Sequence, residues 1–115
     1  MLDITEHAVG DVTVLTLKGR LAPEDGDTPL GGLIDRLLRE NRTKLVLDLR
    51  DVTYIDSAGL GLLVAKYVGV RRRGGDLRLV HLTARSTHLM EITKLAAVFG
   101  TFDSEAAAVE SFAAP

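Results

Sequence analysis

The chain alternates between two hydrophobic rhythms. Between Val12 and Leu17 (VTVLTL), apolar residues interleave with threonine. Val12, Val14 and Thr16 fall on one side, and Thr13, Leu15 and Leu17 on the other. A short β-branched run of this kind predicts a strand. The preceding LDITEHAV reads as a weaker strand, and Gly10-Asp11 between them as the turn of a hairpin. Next comes a loop, GRLAPEDGDTPLGG, with a helix beginning near its end. Pro29 suits the first helical position, with Asp27 or Thr28 as cap. Leu30, Leu33, Ile34, Leu37 and Leu38 recur at helical spacing, and Arg39 and Arg42 suit the helix's C-terminal end.

Lys44 to Leu49 (KLVLDL) is nearly continuous in apolar residues, which predicts a central strand buried on both faces. Asp48 is unusual there. Its plainest role is to accept a hydrogen bond from nearby backbone at the strand end. After RDVTYIDSAGLG, a second helix carries Leu60, Leu63, Val64 and Tyr67 on one face. The Arg71–Arg73 run then reads as a solvated helix end stopped by Gly74-Gly75. DLRLVHL predicts a strand, and TARSTHLMEITKL a helix with Leu89, Met90 and Ile92 partly inward. AVFGTF predicts a short last strand, and DSEAAAVESFA a final helix capped by Asp103 or Ser104. After the hairpin, strands and helices alternate strictly, which predicts an α/β fold with parallel crossovers. No repeat, linker or low-complexity tract divides residues 1–115, so a single domain is expected.

Composition narrows the function classes. The formal net charge of −2 argues against direct nucleic-acid binding, which favours a basic surplus. There is no cysteine, and hence no disulfide, thiol nucleophile or zinc knuckle. The N-terminus lacks the pattern of a signal peptide, and no apolar run approaches a membrane span, so a cytoplasmic protein free of the membrane is expected. A P-loop is absent. Gly59-Leu60-Gly61 does not extend to a dinucleotide fingerprint, because position 64 is Val64. His7, His81 and His88 lie in different elements without ligand spacing, so neither a metal nor another cofactor is expected. G-x-S-x-G is absent, and no pair of catalytic carboxylates stands out. An enzyme is not the expectation.

Ser57 is the remaining candidate. Its simplest reading is an N-cap, its hydroxyl accepting from an amide one turn in. A cap does not require Gly59 and Gly61, and glycine within a helix costs about 1 kcal/mol relative to alanine. The later Asp103-Ser104 start does without them. Positions without side chains let a second body approach, whether a neighbouring loop, a ligand or a partner. A helix start also tolerates an added anion, although Asp56 beside it adds repulsion.

VTYIDSAGLGLL resembles the D-S-x-G-L-G element of STAS domains, in particular bacterial anti-sigma factor antagonists. The similarity extends to VTVLTLKGRL, to KLVLDLRDVTYIDSAGLG and to the strand, helix, strand and helix after Gly75, covering nearly the whole chain. It implies a small mixed, mostly parallel sheet with about four helices packed mainly on one side. It also implies partner switching. The unphosphorylated protein binds an anti-sigma factor that is a serine kinase, and sigma factor is freed. Phosphorylation of the serine matching Ser57 releases the complex, and a serine phosphatase resets it. The implied partner surface comprises Asp56, Ser57, Ala58, Gly59, Leu60 and Gly61, with Arg20 and the acidic Glu24, Asp25 and Asp27 nearby. The family often has an acidic residue directly after G-x-L, where this chain has Ala22. Two alternatives are a STAS subunit that docks on a transporter ATPase without phosphorylation, and a nucleotide-binding domain. The sequence leaves the oligomeric state open.

Overall fold

The computed structural model describes residues 2–22, 29–95 and 98–113. Among the described residues, nine elements follow in the order β1 (Leu2–Val9), β2 (Val12–Leu21), α1 (Pro29–Arg39), β3 (Lys44–Ile55), α2 (Ser57–Arg72), β4 (Asp76–Val80), α3 (Ala84–Ile92), β5 (Gly100–Phe102) and α4 (Glu105–Ser111). The sheet order is β1-β2-β3-β4-β5. β1 and β2 form the expected antiparallel hairpin, with Val9 opposite Val12. Gly10 makes that turn in the left-handed region, at φ 63°. All later neighbours pair in parallel.

Handedness explains the layers. Three successive crossovers advance the sheet in one direction, so right-handed connections put their helices on the same face. There, α1, α2 and α3 enclose the main core: Leu15, Leu17 and Leu21 of β2, Leu45, Leu47 and Leu49 of β3, and Leu77 and Leu79 of β4, under Ile34, Leu63, Val70 and Met90. No strand follows α4, so crossover geometry does not bind it. It covers the opposite face over a smaller cluster of Val12, Val14, Val46, Val80 and Ala108. The division of β2 into a Val12/Val14 face and a Leu15/Leu17 face is as its alternation predicts. In α1, Leu30, Ile34, Leu37 and Leu38 are buried and Leu33 is half-buried. Its proposed caps, Asp27 and Thr28, lie outside the described residues.

Three expectations change. β3 runs six residues beyond Leu49, because its second half pairs with the second half of β2 through irregular register, and this irregularity hides the strand pattern. Arg42 lies past the end of α1 and donates from Nε to Thr13 Oγ1 at 2.8 Å, which accounts for a threonine inside the core. Ile92 is 65% exposed. The inward stripe of α3 is Ser86, Leu89 and Met90, and two residues beyond Met90 is about 200° around a helix, on the far side.

Candidate functional site

The two Asp-Ser helix starts turn out to be built differently. In α4, Ser104 is the N-cap, and its hydroxyl accepts from the Ala107 amide at 3.1 Å. In α2 the cap is Asp56, in extended backbone, whose Oδ1 accepts from the Gly59 amide at 2.7 Å. The reading of Ser57 as a cap is therefore corrected. With the aspartate capping, Ser57 becomes the first helical residue. It is exposed, and its hydroxyl makes no hydrogen bond among the described residues.

What selects Asp56 is the end of β2. Its amide donates to the Leu21 carbonyl at 3.3 Å, so residue 56 is still held against the strand when the helix begins. The same carbonyl explains Gly59. A Cβ there would lie 2.1 Å from Leu21 O, an impossible approach, and Gly59 is buried. Gly61 is the opposite case: it is exposed, and a Cβ there would meet nothing within 4 Å. The two glycines thus answer different needs. Gly59 admits the protein's own β2 backbone, and Gly61 leaves a bare patch on the outside.

The implied partner surface divides accordingly. Ser57, Ala58, Gly61 and Arg20 are exposed, and Asp56 is half-buried with its carboxylate committed to the cap. Gly59 is buried and Leu60 is only 8% exposed, packed in the main core. Both lie turned inward, where they help to position the start of α2. Glu24, Asp25 and Asp27 lie outside the described residues.

One surface residue was not singled out in the sequence. Tyr54, 37% exposed, pairs with Arg20 across β2 and β3. The Arg20 guanidinium lies over the Tyr54 ring, 4.9 Å from its centroid, a cation–π arrangement. The available signal was a large aromatic between Thr53 and Ile55, on the outward side of the alternation. Arg20 and Tyr54 sit near the C-terminal ends of β2 and β3, and β3 leads directly into α2. Among the described residues, no group of histidine and carboxylate side chains has metal-binding geometry, and no helix is long and apolar enough to cross a membrane.

Comparison with known proteins gives consistent results. The STAS domain family model matches residues 5–108. The anti-sigma-B factor antagonist of Bacillus subtilis (strain 168) is 41% identical over 58 residues, a match covering 50% of this chain and 53% of that protein. The match therefore spans about half the length of that relative. The anti-sigma F factor antagonist of Paenibacillus polymyxa is 24% identical over 100 residues, 87% of this chain and 85% of that one. Among solved structures, the anti-sigma factor antagonist SpoIIAA in its unphosphorylated form superposes with a TM-score of 0.76 at 15% identity, over 98% of this chain and 100% of the other. The phosphorylated form of SpoIIAA, described as a Bacillus cell fate determinant, gives 0.74 at 15% identity, over 96% and 99%. At that identity the likeness is one of fold.

Proposed function

The chain belongs to the STAS domain family, among the anti-sigma factor antagonists, and from that premise we propose that it acts by partner switching controlled at Ser57. Unphosphorylated, it binds an anti-sigma factor that is also a serine kinase and so frees a sigma factor. The kinase then transfers the γ-phosphoryl group of ATP to the Ser57 Oγ. The partner supplies ATP, Mg²⁺ and the base that takes the serine proton. The complex separates, and a serine phosphatase hydrolyses the phosphoserine.

One observation carries the reading. Asp56 takes over the cap, so the Ser57 hydroxyl is left exposed and unengaged at the start of a helix. A capping hydroxyl would have to give up a backbone hydrogen bond to be modified; this one does not. Solved unphosphorylated and phosphorylated forms of SpoIIAA, a protein of the same fold, support the same direction. The energetics are sufficient without refolding. Phosphorylation adds about −1.5 to −2 charges. One like-charge contact at ~4 Å near a protein surface is worth roughly 4 kcal/mol, whereas a hundredfold loss of affinity needs only about 2.7 kcal/mol.

The test pairs the protein with the anti-sigma factor of its own organism and measures binding by calorimetry. Wild type and Ser57→Ala are expected to bind alike, and only wild type should gain phosphate from ATP. Ser57→Asp is expected to bind about a hundredfold more weakly. Equal binding of Ser57→Asp and wild type, or phosphate appearing on another residue, would sink the proposal. An unmodified Ser57 in protein recovered from its native cells would favour docking without phosphorylation.

A further inference from the structure

Helices α1 and α2 end in the same way. A residue in the left-handed region closes each one, Asn41 at φ 61° and Gly74 at φ 81°. The amide of the following residue reaches back over the last turn, Arg42 N to Leu37 O at 2.8 Å and Gly75 N to Val70 O at 3.1 Å. The left-handed residue makes the inner bond, Asn41 N to Leu38 O at 3.1 Å and Gly74 N to Arg71 O at 3.0 Å. These are two Schellman motifs, and they lie side by side. The Asp76 amide donates to the Thr43 carbonyl at 3.0 Å, and a Cβ on Gly75 would collide with that same oxygen. Gly75 is the residue that lets the two turns touch. Just before their ends the helices are also joined by an ion pair, Lys66 Nζ to Asp35 Oδ1 at 2.9 Å.

The charge gathered there opposes that of the whole chain. Residues 39–44 (RENRTK) and 71–76 (RRRGGD) hold six cations and two carboxylates, and Asp11, paired with Lys44, is a third. The local charge is therefore +3 (6 − 3), which leaves −5 (−2 − 3) for the rest of the chain. Two helix C-termini contribute about −0.5 each, so complementing them accounts for one of these charges and not for three. Arg42 is held by Thr13, and Arg71 Nη1 lies 3.6 Å from Asp76 Oδ2. Arg39, Arg72 and Arg73 are exposed, and their side chains have no ion-paired or hydrogen-bonded partner among the described residues.

We propose that these paired helix ends dock a short acidic segment of a partner protein, its carboxylates held by Arg39, Arg72 and Arg73. The arginine fork grips a carboxylate through two parallel hydrogen bonds. Packed helices lie about 8–10 Å apart, so an extended segment at about 3.3 Å per residue spans both ends in roughly four to six residues. Nucleic acid and membrane fit less well. Neither turn carries an aromatic ring on which bases stack, or an apolar side chain to enter a bilayer. Both are also extended, and bring charge within a screening length, about 10 Å at 0.1 M salt, of the acidic remainder. Ser57 follows the other end of β3, a strand of 12 residues, so this surface stands apart from the proposed switch and does not depend on it.

The experiment is a ¹H–¹⁵N NMR titration of the full chain with hexaglutamate and, separately, with hexauridylate. Saturable shifts with hexaglutamate are expected at the amides of residues 39–43 and 71–75, and none at residues 57–61. Raising the salt from about 20 to 200 mM should weaken binding severalfold. The double variant Arg72→Gln/Arg73→Gln is expected to bind about tenfold more weakly. Its melting midpoint should not change, because neither side chain has a partner to lose. Lys18→Gln/Arg85→Gln removes the same charge from exposed residues elsewhere and should bind as wild type does. The proposal is overturned if no saturable shift appears up to about 5 mM hexaglutamate, or if the two double variants lose affinity equally. Tighter binding of hexauridylate, or sedimentation with phosphatidylserine vesicles, would overturn it in favour of nucleic acid or membrane.

Discussion

Gly59 and Gly61 are two residues apart and should respond to the same substitution in opposite directions. Gly59→Ala forces a Cβ into the Leu21 carbonyl, and overpacking of this kind costs about 1–3 kcal/mol. Gly61→Ala adds a methyl group in open space and relieves the helix penalty of glycine, about 1 kcal/mol. Thermal unfolding should therefore show a lower midpoint for the first and a higher one for the second. The serines divide similarly. Ser104→Ala removes a cap and should cost about 1 kcal/mol. Ser57→Ala removes a hydroxyl with no bonded partner and should leave unfolding unchanged, whereas Asp56→Ala should show the cap's loss. If Ser57→Ala destabilised the protein as much as Asp56→Ala does, the assignment of the cap would be wrong.

At the scale of elements, helix periodicity in the sequence was a dependable guide wherever one face of a helix is buried. The stripe of α1 was legible because Leu30, Ile34, Leu37 and Leu38 all meet the same sheet. In α3 the apolar residues outnumber the buried positions, and Ile92 was misplaced for that reason. The second half of β3 was harder to read, since bulges disrupt the two-residue alternation on which strand recognition depends. The hairpin turn and the start of β3 are joined by an ion pair, Lys44 Nζ to Asp11 Oδ2 at 2.6 Å. The hydrogen bond from Lys44 holds the Asp11 carboxyl below its ordinary range. A depressed carboxyl contributes stability above its unfolded pKa and loses that contribution as pH falls through the folded value. NMR titration of Lys44→Met is expected to return Asp11 towards an ordinary carboxylate midpoint, with a small effect on stability because the pair is exposed. An unchanged Asp11 midpoint in that variant would exclude Lys44 as the cause.

At the scale of the whole molecule, the proposed switch needs a stable scaffold with a changeable surface. Ser57 is exposed and leaves the core clusters untouched, so phosphorylated and unphosphorylated protein should give the same amide spectrum outside the start of α2. Widespread shifts across the sheet would argue for a conformational mechanism instead. The element order, the hairpin, the α/β class and the isolation of the Asp56–Gly61 stretch were all readable from the sequence. Each rests on interactions within a turn or two of helix, or between adjacent strands. Long-range packing decided the rest. The carbonyl of Leu21, remote in sequence, makes Gly59 obligatory and selects Asp56 over Ser57 as the cap. The buried Asp48 gains its long-range partner only in the fold, where His81, just past the end of β4, comes to lie beside it and its strand neighbour Arg50. Local chemistry specified which residues were able to start a helix; the approach of β2 determined which one caps it and which hydroxyl remains free.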